Sequence, residues 1–289
     1  MLTSTFAPPP GPSPEVHGHR GCRGLLPENT LAAFRHALAL GVDALELDVV
    51  ISQDHQVVVS HEPWLSAQLG RGPHGQLIDP AGEHRYNLYQ LPYATIRQCQ
   101  VGEWPHPGFA TQQPRPSHRP LLGEVLQLAE ALCQQLGRPA VRYAIEIKSS
   151  PAGDDIFHPA PPAFVALVLA EVRAAAVEAR TTLLSFDPRV LRATRQAHPA
   201  LPLCLLIEDN LPPIAGLFDE LGFEPATLGP DFQLLSAAAV RAIRATYPGL
   251  RLVPWTVNSA ADLRMVCSWQ VEGITTDYPD RLLTLLGRL

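Results

Sequence analysis

Short apolar runs alternate with segments of helical periodicity along almost the whole of this chain of 289 residues. The apolar runs predict nine strands, over residues 16–18, 43–49, 57–60, 141–147, 181–185, 203–207, 226–228, 251–255 and 273–275. The periodic segments predict helices over residues 30–40, 122–136, 163–179, 188–197, 237–246, 260–267 and 280–286, with Thr30, Ser236 and Ser259 as N-caps. Such alternation indicates a parallel sheet covered by helices.

The connection between the second and third predicted strands limits the topology. Only residues 52–56 lie between them, whereas a parallel neighbour needs a crossover of about a dozen residues or more. Residues 57–60 must therefore return antiparallel, as a hairpin. Removing them leaves eight strands with their following helical segments, which predicts an α/β fold of the (β/α)8 TIM-barrel type.

The hairpin also carries a prediction about register. If Asp54 and His55 form a two-residue turn, Asp48 stands directly opposite His61. The hairpin would then bring the His61 imidazole to the end of the second strand. A longer turn would shift the pairing and could turn His61 to the other face.

Composition changes along the chain suggest its organisation. Residues 1–14 are rich in proline and predict a disordered lead-in, and residues 15–289 predict one barrel domain. Residues 63–120 lack strong periodicity apart from a short helical stretch near residues 93–100. They predict a subdomain inserted after the second barrel strand and its hairpin, over the barrel mouth, with a surface excursion as the equal alternative. The four histidines of this insertion share no ligand-like spacing and are expected to be solvated.

Charge, hydropathy and cysteine usage exclude several classes. A net charge of −6 argues against a nucleic-acid partner. No run of about 18 apolar residues predicts a membrane span, and no signal-peptide pattern is present, which favours a cytoplasmic location unless an export signal has been removed. Five scattered cysteines without a CxxC pair make a disulfide framework or a zinc knuckle unlikely to form. The oligomeric state is not predicted.

Charged residues cluster where the predicted strands end. The stretch His19 to Thr30 combines an imidazole, guanidinium groups and a carboxylate at a strand-to-helix junction. Glu46 and Asp48 share one face of the second strand, and Glu146 and Lys148 share one face of the fourth. The carboxyl ends of barrel strands carry the active site in this fold. Arginine and lysine beside histidine and carboxylates suit chemistry on a phosphate ester.

Read together, these motifs resemble the glycerophosphodiester phosphodiesterase family. The resemblance runs from about residue 16 to residue 286. It rests on the following motifs in order: His19-Arg20-Gly21, Pro27-Glu28-Asn29-Thr30, Glu46-Leu47-Asp48, Ser52-Gln53-Asp54, Val59-Ser60-His61, Glu146-Ile147-Lys148, Trp255-Thr256-Val257-Asn258 and Thr276-Asp277-Tyr278-Pro279. Three positions depart from the usual pattern, namely Glu62, Ala144 and Arg23, and these positions bear on the substrate preference.

The resemblance implies a site and a cofactor. It implies that Glu46, Asp48 and Glu146 bind one divalent cation, Ca²⁺ or Mg²⁺, and oxygen ligands suit such hard cations. It implies the remaining roles as follows: His19 and His61 as the acid–base pair, Arg20 and Lys148 on the phosphate, Phe186 and Trp255 on the glycerol carbons, and Glu28 near the metal or behind its ligands.

The function expected from this resemblance is metal-dependent hydrolysis of a small-molecule glycerophosphodiester to glycerol 3-phosphate and an alcohol. The alternative is a lysophospholipase D or sphingomyelinase D-like phosphodiesterase on the same barrel. A glycosidase carboxylate pair is disfavoured, because a neutral sugar needs no cationic clamp. Binding of phosphodiesters without turnover is disfavoured by the presence of both histidines and all three carboxylates.

Overall fold

The computed structural model describes residues 13–289, so the expected lead-in lies outside the described residues apart from its last two positions. The strands of the described part are β1 (Glu15–Gly18), β2 (Ala44–Ile51), β3 (Val57–Val59), β4 (Arg142–Ile147), β5 (Thr181–Ser185), β6 (Leu203–Ile207), β7 (Thr227–Pro230), β8 (Arg251–Leu252) and β9 (Gly273–Thr276). Its α-helices are α1 (Leu31–Leu40), α2 (Tyr93–Ile96), α3 (Leu122–Gln135), α4 (Pro161–Ala174), α5 (Pro188–Ala197), α6 (Ile214–Leu221), α7 (Ala237–Thr246), α8 (Ala260–Ser268) and α9 (Pro279–Leu285). The predicted domain boundaries stay predictions.

Eight parallel strands form a barrel in the order β8-β7-β6-β5-β4-β2-β1-β9. The seam between β8 and β9 is joined by backbone hydrogen bonds outside the strand ladders. The Glu272 amide donates to the Leu252 carbonyl at 3.1 Å, and the Thr275 amide donates to the Pro254 carbonyl at 3.0 Å. The predicted (β/α)8 class is confirmed, because helices cover the outer face of each parallel strand as this sheet type requires.

The hairpin register differs from the prediction by one residue. β3 pairs antiparallel with β2, with Val49 opposite Val59, and the Ser60 amide donates to the Asp48 carbonyl at 3.0 Å. Ser60, not His61, therefore stands opposite Asp48. The cause is a three-residue loop closed by Ser52, in which His55 adopts a positive φ of 61°. Three-residue hairpin loops commonly end in a residue with left-handed backbone conformation. This residue is usually glycine, so a histidine at this position gives no clear sequence signal for such a loop.

Three elements differ in extent for local reasons. α6 was not predicted, because two prolines precede it and hide its short periodicity; its C-cap, Gly222, has a left-handed φ of 84°. α4 ends at Ala174, well before the predicted residue 179, and Ala176 has a φ of 55° that a helix cannot continue through. β8 is only two residues long, since Pro254 has no amide hydrogen for the ladder.

The insertion has a core of its own. Leu65, Leu88 and Ile96 are fully buried and pack with Val50 and Val58 of the hairpin. Two 3₁₀ helices and α2 lie in this segment, and α2 falls within the stretch where the sequence predicted a helix. Burial of apolar side chains therefore holds the insertion on the hairpin that leads to His61.

The insertion also contacts the loop after β1. The Gln112 side chain donates to the Arg23 carbonyl at 2.7 Å, and the Thr111 hydroxyl donates to the Gly24 carbonyl at 3.0 Å. The Arg23 guanidinium lies 4.8 Å from the centre of the Phe109 ring. These contacts place residues 104–113 above the end of the barrel to which β1 and β2 point.

The barrel axis is not filled by side chains. The inner cluster contains Ala144, Leu184, Cys204 and Leu206, whereas the large core lies between the barrel and its helices. A cavity of about 510 Å³ runs from the strand C-termini towards Glu15 at the opposite end. Its lining includes the small side chains of Ala44, Ala144 and Cys204, and the barrel keeps room for a ligand.

The cysteines and the hydropathy fit the sequence analysis. All five cysteines are buried and free. Burial raises the pKa of the Cys22 thiol to about 12, which disfavours a nucleophilic role for it. No helix within residues 13–289 is long and apolar enough to cross a membrane. The cytoplasmic location stays a prediction.

Candidate active site

The parallel register of β2 and β4 brings three carboxylates together. Asp48 pairs with Glu146, and Glu46 lies two residues earlier on the same face of β2. One oxygen of each side chain lies within 4.8 Å of the others, and all three side chains are buried. Asp48 Oδ1 has no hydrogen-bond partner. Three buried carboxylates with an unsatisfied oxygen form a possible cation site.

The pKa values of the three acids are shifted in different directions by burial, mutual repulsion and neighbouring cations. Burial, followed by the charges of Asp48 and Glu146, raises the pKa of Glu46 well above its usual value. Burial also raises the pKa of Glu146, although Lys148 opposes this effect. Burial alone would raise the pKa of Asp48 too, but Arg20 and neighbouring cations hold it well below the usual range. The trio carries more negative charge than its surroundings neutralise.

Arg20 and Lys148 flank the carboxylates. The Arg20 guanidinium lies 3.3 Å from Asp48 through Nε, and its Nη1 donates to Glu28 Oε1 at 2.7 Å. Lys148 Nζ donates to Glu146 at 2.8 Å. Glu28 therefore lies behind Arg20 and is not part of the carboxylate trio. The site contains two cations that can face a phosphate and an anion that orients one of them.

His19 is held in one orientation. Its Nδ1 lies 2.7 Å from Asp277 Oδ1, and its Nε2 lies 3.8 Å from Glu46 Oε2. A proton on Nδ1 shared with Asp277 leaves Nε2 free to accept a proton from the cavity. Burial, aided by Arg23, lowers the pKa of His19 despite the adjacent Asp277. A lowered pKa favours the neutral imidazole, which is the form that can act as a base.

The sequence analysis named Asp277 only as part of a motif, but the structure places it in contact with three side chains of the site, the first of which is His19. Asp277 accepts from Arg23 Nε at 2.8 Å and from the Asn258 amide at 2.7 Å. It is fully buried at the C-terminal end of β9. The sequence signal that could have indicated this role was the position of Asp277 directly after a barrel strand.

His61 reaches the cavity in spite of the register difference. β3 ends at Val59, so His61 lies beyond the paired strand and is free of its alternation. It lines the same cavity as His19 and Glu146, and its Nδ1 lies 2.7 Å from Glu62. The His61 side chain therefore lines the cavity, although His61 does not stand opposite Asp48 as the two-residue turn predicted.

Phe186 and Trp255 form an aromatic wall of the cavity. Their rings meet edge to face, with centroids 5.5 Å apart, and Lys148 Nζ lies 5.8 Å from the Phe186 ring centre. Trp255 is anchored by its Nε1, which donates to the Gly229 carbonyl at 2.7 Å. Both are half-buried, which leaves apolar faces for the carbon atoms of a small ligand.

Two further residues near the site were given no role in the sequence analysis, although Asn29 belongs to one of its motifs. Asn29 donates to Asp48 Oδ2 at 2.9 Å from a left-handed φ of 54°. Arg119 is buried beside the hairpin and donates through Nε to Ser60 Oγ at 3.2 Å. Neither has a periodic or spacing signal, because each reaches the site from a loop that only the fold brings near. Glu208, at the end of β6, lines the cavity but is exposed.

Comparisons with known proteins point to one family. The model of the glycerophosphoryl diester phosphodiesterase family matches residues 19–281. A putative glycerophosphoryl diester phosphodiesterase from Silicibacter pomeroyi DSS-3 has a similar structure, with a TM-score of 0.82 and 34% identity over 96% of this chain and 94% of that one. A glycerophosphodiester phosphodiesterase of Bacillus subtilis is 27% identical over 91% of this chain and 83% of its own length.

A more distant structure shares the fold. An Oleispira antarctica phosphodiesterase, solved with its product sn-glycerol-3-phosphate, has a TM-score of 0.74 and 18% identity over 95% of this chain and 97% of that one. The family model and the Silicibacter structure each cover nearly the whole described chain. The chain therefore belongs to the glycerophosphoryl diester phosphodiesterase family, and the enzyme class expected from its sequence, a phosphoric diester hydrolase, is confirmed.

Proposed function

We propose that the protein hydrolyses glycerophosphodiesters to glycerol 3-phosphate and an alcohol, with one divalent cation and two catalytic histidines. The observation that carries the proposal is the shared cavity. His19, His61 and the carboxylate trio line or border one cavity with Arg20 and Lys148.

The carboxylate trio fits a hard divalent cation. Glu46, Asp48 and Glu146 supply oxygen ligands only, as Ca²⁺ and Mg²⁺ prefer. Asp48 Oδ1, which accepts no hydrogen bond, and the raised pKa of Glu46 both fit a cation held between these groups. When bound there, the cation would supply charge neutralisation for the phosphoryl group.

The remaining groups bind and orient the substrate. Arg20 and Lys148 hold the phosphoryl oxygens, and Phe186 and Trp255 contact the glycerol carbons. The glycerol hydroxyl next to the ester then lies near His19. Its position within the same molecule gives the reaction the advantage of high effective concentration.

The reaction proceeds in two proton-balanced halves. His19 Nε2 takes the proton of the glycerol hydroxyl, whose oxygen bonds to phosphorus, while the bond from phosphorus to the alcohol oxygen breaks. His61 gives a proton to that alcohol, and a cyclic phosphate remains. In the second half His61 accepts a proton from water, and the water oxygen bonds to phosphorus while the bond from phosphorus to the glycerol oxygen formed in the first half breaks. His19 returns its proton to that glycerol oxygen.

The insertion of residues 63–120 sets the preference for the alcohol and does not take part in the chemistry. Support comes from its placement above the strand ends, where it contacts the loop of Arg23 and carries Trp64 next to the end of the hairpin. No member of the carboxylate trio belongs to it.

The central test is hydrolysis with and without metal. Glycerophosphocholine, glycerophosphoethanolamine and a lysophospholipid are each incubated after exhaustive chelation and after return of Ca²⁺ or Mg²⁺. We expect hydrolysis of the small diesters only with metal, and full activity after chelation would sink the cation assignment. Faster cleavage of the lysophospholipid would instead favour the lysophospholipase D alternative.

The histidine roles are tested with leaving groups. His61→Ala should lose most activity on alkyl esters and keep more on nitrophenyl esters, whose leaving group needs no proton. His19→Ala should lose activity on both. An identical response of the two variants would contradict the assignment. Equal cleavage of a diester that lacks the adjacent hydroxyl would contradict the cyclic route.

A further inference from the structure

Arg119 is a buried guanidinium without a carboxylate partner. It lies where the insertion meets α3 and is only 3% exposed. Among the described residues its guanidinium donates one hydrogen bond, from Nε to Ser60 Oγ, and its Nη2 is buried with no partner. No carboxylate of residues 13–289 lies within ion-pair distance of it, whereas Arg20 contacts both Glu28 and Asp48.

A buried guanidinium without a counter-ion destabilises the folded protein unless an anion binds beside it. Burying a charge without a partner costs several kcal/mol, so buried cations are normally paired. Burial lowers the pKa of Arg119 only to about 10, which leaves it charged at neutral pH. The chain therefore keeps a positive charge and a free N–H donor inside the protein, close to the catalytic hairpin.

Arg119 lines a small pocket next to the main cavity. The pocket has a volume of about 20 Å³ and is lined by Arg119, Ser60, His61, Gln112, His106 and Trp104, among others. Such a volume holds roughly one oxygen-sized atom. Glu28 also borders it, but Arg20 neutralises this carboxylate at 2.7 Å and Arg23 lies 3.8 Å from it.

His61 connects this pocket with the reaction. It lines both the pocket and the main cavity. Under the proposed function His61 protonates the departing alcohol, so the alcohol must lie beside it. A negatively charged oxygen close to the ester oxygen of that alcohol would then be the group within reach of Arg119.

We propose that this pocket is a subsite for a carboxylate carried by the leaving alcohol, with Arg119 as its binding residue. The inference rests on the proposed function and narrows its substrate class. A serine diester has such a carboxylate on the carbon next to the ester carbon, and one carboxylate oxygen matches the room available.

The test compares two substrates that differ only in this carboxylate, glycerophosphoserine and glycerophosphoethanolamine. We expect wild type to favour the serine ester in kcat/KM by about tenfold or more, as for a hydrogen bond to a charged group. Arg119→Met should abolish that ratio, and Arg119→Lys should keep part of it. Arg85→Met removes an exposed guanidinium of the same insertion and should leave the ratio and both rates unchanged.

Several outcomes would overturn the subsite. These are a wild-type ratio near one, a preference for ethanolamine, and equal losses on both substrates in Arg119→Met, which would indicate support of the hairpin or of a bound water. If Arg119→Met does not fold, wild-type inhibition by phosphoserine and by phosphoethanolamine is compared, and equal inhibition also overturns it. Absence of hydrolysis of both diesters would count against the proposed function instead.

Discussion

The side chain that most restricts the proposed chemistry is Asp277. His19 Nδ1 and Arg23 Nε both contact its Oδ1, and Arg23 Nη2 also donates to its Oδ2. The first contact fixes which nitrogen of the imidazole is free, and the second keeps the carboxylate ionised. Burial alone would raise the pKa of Asp277, but His19 and Arg23 hold it well below its usual value.

Replacing Asp277 with asparagine should therefore lower kcat by roughly a hundredfold or more, as expected when an oriented general base loses its partner. An amide can present its N–H₂ to His19 and favour the wrong tautomer. Calcium affinity, measured by calorimetry, should stay within about threefold, because no ligand is touched. Asp262→Asn, at the exposed N-terminus of α8, is the matched control. A kcat within threefold of wild type would show that Asp277 does not orient His19.

The carboxylate trio should make the cation-free protein less stable as the pH rises. Burial and repulsion raise the pKa of Glu46, so the folded state retains a proton that the unfolded state releases above about pH 4.3. Stability is then lost as the pH rises from that value through the folded pKa. Glu46→Gln removes the effect, and its urea midpoint should exceed that of wild type at pH 8, with a gap that narrows towards pH 5.

Calcium should reverse this order. A ligand that binds only the folded state at a hundred times its Kd stabilises it by about 2.7 kcal/mol. Wild type should gain most of this amount and Glu46→Gln much less. If chelated wild type and variant show the same pH dependence, the trio is not electrostatically strained.

At the scale of elements, the hairpin shows what a sequence can and cannot reveal. The antiparallel return of β3 followed from the short connection, which forbids a crossover. The register did not follow, because it depends on the left-handed conformation of His55, a residue type with no strong preference for it. α6 was missed for the opposite reason: its sequence signal was too short to rise above the preceding prolines.

The loop conformation can be tested with a matched pair of substitutions. His55→Gly should keep or slightly raise stability, since glycine adopts positive φ freely. His55→Val should cost about 1–2 kcal/mol, the penalty of a left-handed conformation for a side chain branched at Cβ. Both are measured by urea unfolding. Equal stabilities of the two variants would mean that position 55 does not hold a positive φ in solution.

At the scale of the whole molecule, charged residues cluster at both ends of the barrel. Those at the C-terminal end form the candidate site, and those at the opposite end form ion pairs around Glu15. The C-terminal end collects the candidate site, and the strand-end rule predicted most of it, including Glu46, Asp48 and Glu146. It could not predict Arg119, which comes from the insertion, nor the contact between Arg23 and Asp277, which are 254 positions apart. Such contacts depend on loop conformations that no local pattern encodes.

The opposite end is held by Glu15, which contacts Arg251 at 2.7 Å and Arg142 at 3.5 Å. Burial opposes the shift, but His17 and the two arginines lower the pKa of Glu15 to about 2. Its stabilisation is therefore present above about pH 4.3, the unfolded value, and is lost as the pH falls towards 2.

Glu15→Gln should reduce stability at pH 7 by about 1 kcal/mol, a small value because both arginines are partly exposed and screened. The loss should vanish near pH 2, and kcat/KM should remain that of wild type, since this end of a barrel serves stability. Thermal unfolding and steady-state kinetics check both parts. A large fall in kcat with unchanged stability would mean that this end communicates with the site.

The contact between His19 and Asp277 joins residues 258 positions apart in the chain. During synthesis the three acidic residues of β2 and β4 leave the ribosome long before Asp277 does. The carboxylate trio therefore needs only the chain up to residue 146, whereas the orientation of His19 also needs β9 beside β1. Catalysis waits for β9 to dock beside β1, and the appearance of activity during translation would report the moment at which the barrel closes.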